Sequence, residues 1–161
     1  MRFVFVDRIV ALDLGRSIET LKNVSATEDI FTDHFPGHPV FPGALIVESF
    51  EQAAQLLMAQ TYGFARLGRL ERLSRVAFRH LVRPGDRLAV RCERRDTDET
   101  AWTVAATARV DGRTVATAVL AFGLEAAAAG TEAAERGARL RLLMDVLRDP
   151  LFAAPGAVAI P

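Results

Sequence analysis

The chain has 161 residues, half of them hydrophobic, which suits one domain or a domain with a tail. Twenty basic and twenty acidic side chains balance, which argues against a general nucleic-acid binder. No apolar run approaches the roughly 18 residues needed to span a bilayer. Met1 leads into Phe3-Val4-Phe5-Val6 without a charged-then-apolar targeting segment, and a lone Cys92 cannot form an internal disulfide, so a reducing, cytoplasmic setting is expected.

Residues 2–12 and 16–24 read as two strands around an Asp13-Leu14-Gly15 turn. Residues 25–42 form a long loop rich in Pro, Gly, Asp and Thr. Its Phe31, Phe35 and Phe41 argue for order, and a long ordered loop in a small domain points to function. Residues 43–61 are predicted as the one long core helix, with Pro42 as its start signal and Gly63 just past its end. Apolar residues occupy more than one face of it. Glu48, Glu51, Gln52 and Gln55 fall on a single polar stripe, which must face water, a cavity or a partner chain.

Four further strands are expected at 73–82, 86–95, 101–110 and 114–124, with a turn at Arg83-Pro84-Gly85-Asp86 and a two-residue hairpin at Asp111-Gly112. Trp102, Val104, Ala106, Ala108 and Val110 share one strand face, and Cys92 reads as a small core residue. One buried helix followed by antiparallel strands gives an α+β domain with a sheet curled round a helix. This domain is expected to span 1–124. Residues 125–161 form an extension: an Ala/Gly/Glu-rich linker or weak helix to 137, a helix at 138–148 carrying Leu140, Leu143, Met144 and Leu147 on one stripe, and a mobile end from 153.

Between Arg66 and Arg95 there are ten arginines against Glu71, Asp86 and Glu93, a window of +10 − 3 = +7. It reads either as a solvated face or as a docking surface for an acidic partner.

The chemistry concentrates at residues 34–52. His34 lies in a loop stiffened by Pro36, Pro39 and Pro42; Gly43 opens the helix; Glu48 follows within two turns. Singly, a loop histidine or a helix glutamate is ordinarily structural or solvated. Together they supply an imidazole base near neutral pH, a carboxylic acid, and the unpaired Gly43 N–H at the positive end of a helix dipole, where an enolate oxygen would sit. That set suits removal of a proton next to a carbonyl and expulsion of a leaving group. His38 and His80 show no such setting. Asp33, His34 and His38 do not complete a metal-ligand set, so no metal is expected.

The run His34-Phe-Pro-Gly-x-Pro-x-x-Pro-Gly43, then Leu45-x-x-Glu48 and Gln52, resembles the signature of the FabZ-type 3-hydroxyacyl-[acyl-carrier-protein] dehydratases. Phe5-Val6-Asp7-Arg8-Ile9, Lys22-Asn23-Val24, Phe78, Val82 to Leu88, Trp102 and Val110-Asp111-Gly112 extend the likeness over roughly residues 3–124. The resemblance implies a hot-dog fold, with an antiparallel sheet round the long helix. It also implies a homodimer with a continuous sheet, commonly assembled into a trimer of dimers. His34 of one chain would meet Glu48 of the other in a narrow apolar tunnel, with Phe35, Pro36, Phe41, Pro42 and Gln52 as substrate-binding residues. No cofactor is implied, because the substrate arrives on the phosphopantetheine of an acyl carrier protein. That carrier is acidic, so Arg72, Arg75 and Arg79 are expected to help dock it.

The chain departs from the family pattern in three ways. It lacks the usual short helix before the first strand, it has Glu51 where a small residue is usual, and it carries residues 125–161. The expected activity is dehydration of a 3-hydroxyacyl thioester to the trans-2-enoyl thioester. A hot-dog thioesterase, or a non-catalytic acyl-binding or partner subunit, are the alternatives.

Overall fold

The computed structural model describes residues 4–96 and 98–147. The expected mobile end, with Leu151 and Phe152, lies outside the described residues. Along the chain come β1 (Arg8–Asp13), β2 (Ser17–Asn23), a short 3-10 turn at Asp29–Thr32, α1 (Gly43–Thr61), β3 (Arg66–Phe78), β4 (Arg87–Arg94), β5 (Ala101–Val110), β6 (Arg113–Ala126) and α2 (Glu132–Leu147). The six strands form one antiparallel sheet in the order β1-β2-β4-β5-β6-β3. The chain leaves β2, runs through the loop and α1, and re-enters at the opposite edge. The sheet therefore curls round the helix, and the fold is the hot-dog fold.

Alternation makes the core. Leu88, Val90 and Cys92 of β4, Trp102, Val104, Ala106 and Ala108 of β5, and Ala118, Leu120 and Phe122 of β6 point inward and are buried. Against them α1 buries Ile46, Ser49, Phe50, Ala53, Ala54, Leu56, Leu57, Met58 and Ala59. So broad an apolar face explains why this helix is central rather than superficial. Burial raises the Cys92 thiol to about 12, which makes it a packing residue. Asp111 and Gly112 both take positive φ (50° and 78°), as the two-residue hairpin requires.

β1 starts at Arg8, which leaves residues 4–7 of the expected 2–12 strand outside it, and two further boundaries differ from expectation. β3 runs from Arg66 to Phe78 rather than 73 to 82. Its register shifts between Leu70 and Arg72 and again between Ser74 and Ala77, with Arg75 at φ 51°. Two irregularities of this kind each reverse the inside-outside parity, so the strand shows no clean period of two. Beyond Phe78 the chain leaves the ladder, and Val82 turns its carbonyl to the Phe41 N–H (2.7 Å).

The second difference is α2, which begins six residues before the expected 138. Thr131 caps it: its Oγ1 accepts the Ala134 N–H at 3.1 Å. Gly137, which looks like a helix breaker, is buried within the helix against Leu67, whose Cδ1 would make an ordinary 3.4 Å contact with an added Cβ. α2 buries Met144 and Leu147 in the main core, with Leu140 and Leu143 packed at its margin. Arg141 stacks over the Phe64 ring at 4.4 Å.

Candidate active site

Loop 34–42 is held at both ends. The His34 N–H donates to Ile30 O (3.0 Å), and the Val40 N–H closes back on His34 O (3.3 Å). The Phe41 ring is 1% exposed and packs edge-on to Phe5, with centroids 6.1 Å apart, and beside Phe31 at 6.5 Å. Phe41, expected as a substrate-binding residue, thus serves in the single chain as the buried anchor of the loop. Phe35 is 56% exposed and its ring lies 4.2 Å from the His34 ring; the His34–Phe35 peptide is cis. Pro36 is exposed and Pro42 half-buried.

His34 is half-buried, and its Nδ1 lies 2.9 Å from Val40 O. A carbonyl oxygen only accepts, so Nδ1 carries the hydrogen and donates it. The Nε2 lone pair is left free, which is the tautomer a general base needs.

Glu48 is fixed from the other side. Its Oε1 accepts from Gln52 Nε2 at 2.8 Å, and Gln52 Oε1 in turn accepts the Phe5 N–H at 2.8 Å. Because Phe5 offers a donor, the amide can point only one way, with its NH₂ toward Glu48. Gln52 is therefore a positioning residue for the carboxyl. One helical turn along, Gln55 Nε2 donates to Glu51 Oε1 at 2.9 Å, so the polar stripe is a pair of i,i+4 locks.

Glu51 is half-buried. Burial first, and the charge of Glu48 second, push its carboxyl above the usual value; the Gln55 hydrogen bond and Arg136 pull it back. Arg136 comes from α2 and is ion-paired to Glu125 of β6.

The start of α1 is open. Pro42 is the N-cap and makes no side-chain cap hydrogen bond. Its carbonyl receives the Leu45 and Ile46 N–H groups at 3.0 and 3.2 Å, the first bonds of the helix, so the Gly43 N–H precedes the ladder. Gly43 has ordinary φ, and close packing is what calls for glycine there: an added Cβ would meet the Phe78 ring at 2.8–3.2 Å.

His38 and His80 are exposed, as are Arg72 and Arg75 on β3 and Arg79 just beyond it. Among the described residues no hydrogen bond joins His34 to Glu48, and no group of three or more His, Cys, Asp or Glu is placed to hold a metal. Two sizeable clefts of the single chain are lined by other residues. One lies between the turn at 80–86 and the β5–β6 hairpin, the other at the far end of α1. Val40, Phe5 and Phe78 were not legible as site residues. Two of them act through backbone atoms, which no side-chain pattern announces, and the third sits at the end of the irregular strand.

Fold and site residues together define a hot-dog protein whose proline-rich loop carries His34 and whose central helix carries Glu48. A FabA-like domain matches residues 1–119. The chain is 41% identical over 122 residues to the 3-hydroxyacyl-[acyl-carrier-protein] dehydratase FabZ of Granulibacter bethesdensis, covering 74% of this chain and 72% of that protein. The FabZ of Acidiphilium cryptum is equally similar, 41% over 122 residues and 74% of each chain. Among solved structures, a Streptococcus mutans protein bound to acetyl CoA shares the fold with TM-score 0.64 at 16% identity, over 78% of this chain and 94% of that one. The chain belongs to the FabZ-type 3-hydroxyacyl-[acyl-carrier-protein] dehydratase family. No helix of the described residues is long and apolar enough to cross a membrane.

Proposed function

We propose that this chain dehydrates 3-hydroxyacyl thioesters carried on acyl carrier protein to trans-2-enoyl thioesters and water, in fatty-acid biosynthesis or a polyketide-type pathway. The observation that carries the mechanism is that two proton-transfer groups are each locked by a partner that leaves a working atom free. His34 is held through Nδ1 by Val40 O, and Glu48 through Oε1 by Gln52. His34 Nε2 takes the C2 proton, and the electron pair moves toward the thioester carbonyl. The Gly43 N–H binds the oxygen as charge develops, a contribution of about 3 kcal/mol for one such donor. Collapse of that charge forms the C2–C3 double bond and breaks the C3–O bond, while protonated Glu48 delivers its proton to the departing hydroxyl, giving water. The thioester itself acidifies C2, so the reaction needs no cofactor.

The working unit in this reading is a homodimer with shared sites, His34 of one chain facing Glu48 of the other. The sheet ends on β3, a 13-residue edge strand bearing exposed Leu73, Val76 and Phe78. An edge strand of this length offers a row of ladder groups to a second strand, and pairing two β3 edges would extend the sheet across the dimer. Arg72, Arg75 and Arg79 on the same segment are proposed to seat the acidic carrier. We take 1–124 as the catalytic domain and 125–161 as its extension. Incubation with a 3-hydroxyacyl carrier-protein substrate tests the proposal. Enoyl product supports it, whereas free acid would make the chain a thioesterase and no change would make it a binding or partner subunit.

A further inference from the structure

We propose that Phe78 is a positioning residue for the reaction, acting through Gly43. The end of its ring rests on the first residue of α1: a Cβ at position 43 would lie 2.8 Å from Cζ, 2.9 Å from Cε1 and 3.2 Å from Cε2. Real Cβ atoms essentially never approach other heavy atoms that closely, so the ring occupies the space a side chain would need.

The base of the ring is fixed in the sheet. Phe78 pairs with Ala116 of β6, and the following Arg79 N–H donates to Val115 O at 2.7 Å. Four residues on, Val82 O takes the Phe41 N–H at 2.7 Å. Segment 78–82 therefore grips the entry to α1 twice, by a backbone hydrogen bond just before Pro42 and by an aromatic ring just after it.

The helix start has no side-chain cap to fix it. The Phe78 contact takes over that duty without consuming an N–H, and so holds the Gly43 donor at a set position while leaving it free to bind the thioester oxygen. A displaced donor loses much of its worth: removing one costs about 10²–10³ in kcat, and a shift of about 1 Å can cost 10²-fold.

This inference rests on the reading of Gly43 as the oxygen-binding donor. The test uses Phe78→Ala, Phe78→Leu, Gly43→Ala and the double variant Phe78→Ala/Gly43→Ala in the full chain. Each is checked by thermal melting and assayed for kcat and KM on a carrier-bound 3-hydroxyacyl substrate. Phe78→Ala should lower kcat about tenfold, short of full donor loss, with KM within about twofold because a transition-state contact is what weakens. Phe78→Leu should fall between it and wild type. Gly43→Ala should lower kcat by forcing the ring away, and adding Phe78→Ala should make the double variant faster than Gly43→Ala alone. A merely structural contact gives losses that multiply and follow the melting temperature. Wild-type kcat in Phe78→Ala, or a double variant no faster than Gly43→Ala, overturns the inference and leaves the dehydratase reading standing. A wild-type protein that forms no enoyl product overturns both.

Discussion

The two helices begin in opposite ways. α2 starts on a capped turn: Thr131 accepts the Ala134 N–H, and Glu132 and Glu135 set negative charge against the positive end of the dipole. α1 has neither a side-chain cap nor an acid in its first turn, although it is the longer and more deeply buried helix. If stability alone had shaped both, α1 would be the one to secure. Its open start follows the loop that carries His34 and leads within two turns to Glu48, whereas the closed start of α2 lies outside the family-matched residues 1–119. An uncapped helix end is a binding site for an anionic oxygen, and capping it would satisfy the groups that a substrate must find free. On the proposed function, α1 gives up local stability for chemistry while α2 serves packing.

The largest effect that follows is on turnover. His34→Ala and Glu48→Gln should each lower kcat by about 10²–10⁴, the usual worth of a positioned base or acid, while melting temperatures stay near wild type. Because the acid and base are proposed to come from different chains, mixing the two inactive variants should restore some activity, one site of each mixed dimer being intact. Near-normal turnover in either variant would break the mechanism. No recovery after proven subunit exchange would remove the shared site.

On α2 the same kind of change should act on stability instead. Met144 is 2% exposed within the main core, so Met144→Ala should cost about 2–5 kcal/mol in denaturant unfolding. The ranking of acyl chain lengths in the surviving enzyme should be unchanged. A shifted ranking would put α2 on the acyl path and end the division of labour.

Next in size is carrier binding. Charge reversal at Arg72, Arg75 and Arg79 should raise KM for carrier-bound substrate several-fold. Salt should erode the difference, since the screening length falls from about 10 Å at 0.1 M to about 3 Å at 1 M. A pantetheine-linked mimic, which needs only the tunnel, should be nearly indifferent. Equal losses on both substrates would point to a damaged fold.

The contrast between the helices also explains what the sequence made legible. α1 was predicted over its full length because burial and chemistry both write on side chains: nine buried residues, one polar stripe, a proline before and a glycine after. β5 and the Asp111-Gly112 hairpin were equally plain, for alternation and turn chemistry are local. β3 was misplaced because its two register shifts erase the alternation. The start of α2 was missed because Thr131 and Gly137 gain meaning only from Ala134 and Leu67. Within the site, His34, Glu48 and Gly43 stood out. The groups that contact them did not, because the Val40 carbonyl is a backbone group of the same loop and the Phe5 N–H and the Phe78 ring reach the site from other parts of the fold.

The smallest expected effect lies where the two helices meet electrostatically. Glu51 of α1 carries a carboxyl raised above its usual 4.5, by burial first and the charge of Glu48 second, with Arg136 of α2 opposing. A raised acid means that the folded chain holds the proton more tightly than the unfolded chain. Its stabilising contribution is complete below about pH 4.5, the unfolded value, and is lost as pH rises through the folded value. At neutral pH an ionised Glu51 is therefore a burden on the fold. Glu51→Gln removes the charge and keeps an oxygen for the Gln55 amide, which donates to Glu51 Oε1 at 2.9 Å. The variant should melt slightly above wild type at about pH 7.5, and the gap should close at about pH 4, where the native carboxyl is protonated. Loss of the attraction to Arg136 works the other way, but it is the weakest of the four influences on Glu51, so the sign should hold. Melting curves of both proteins across that range decide it. A gap that does not change with pH, or a variant less stable at neutral pH, would mean that the attraction between Arg136 and Glu51 outweighs the burial of charge, and α2 would then steady the site helix electrostatically as well as by packing.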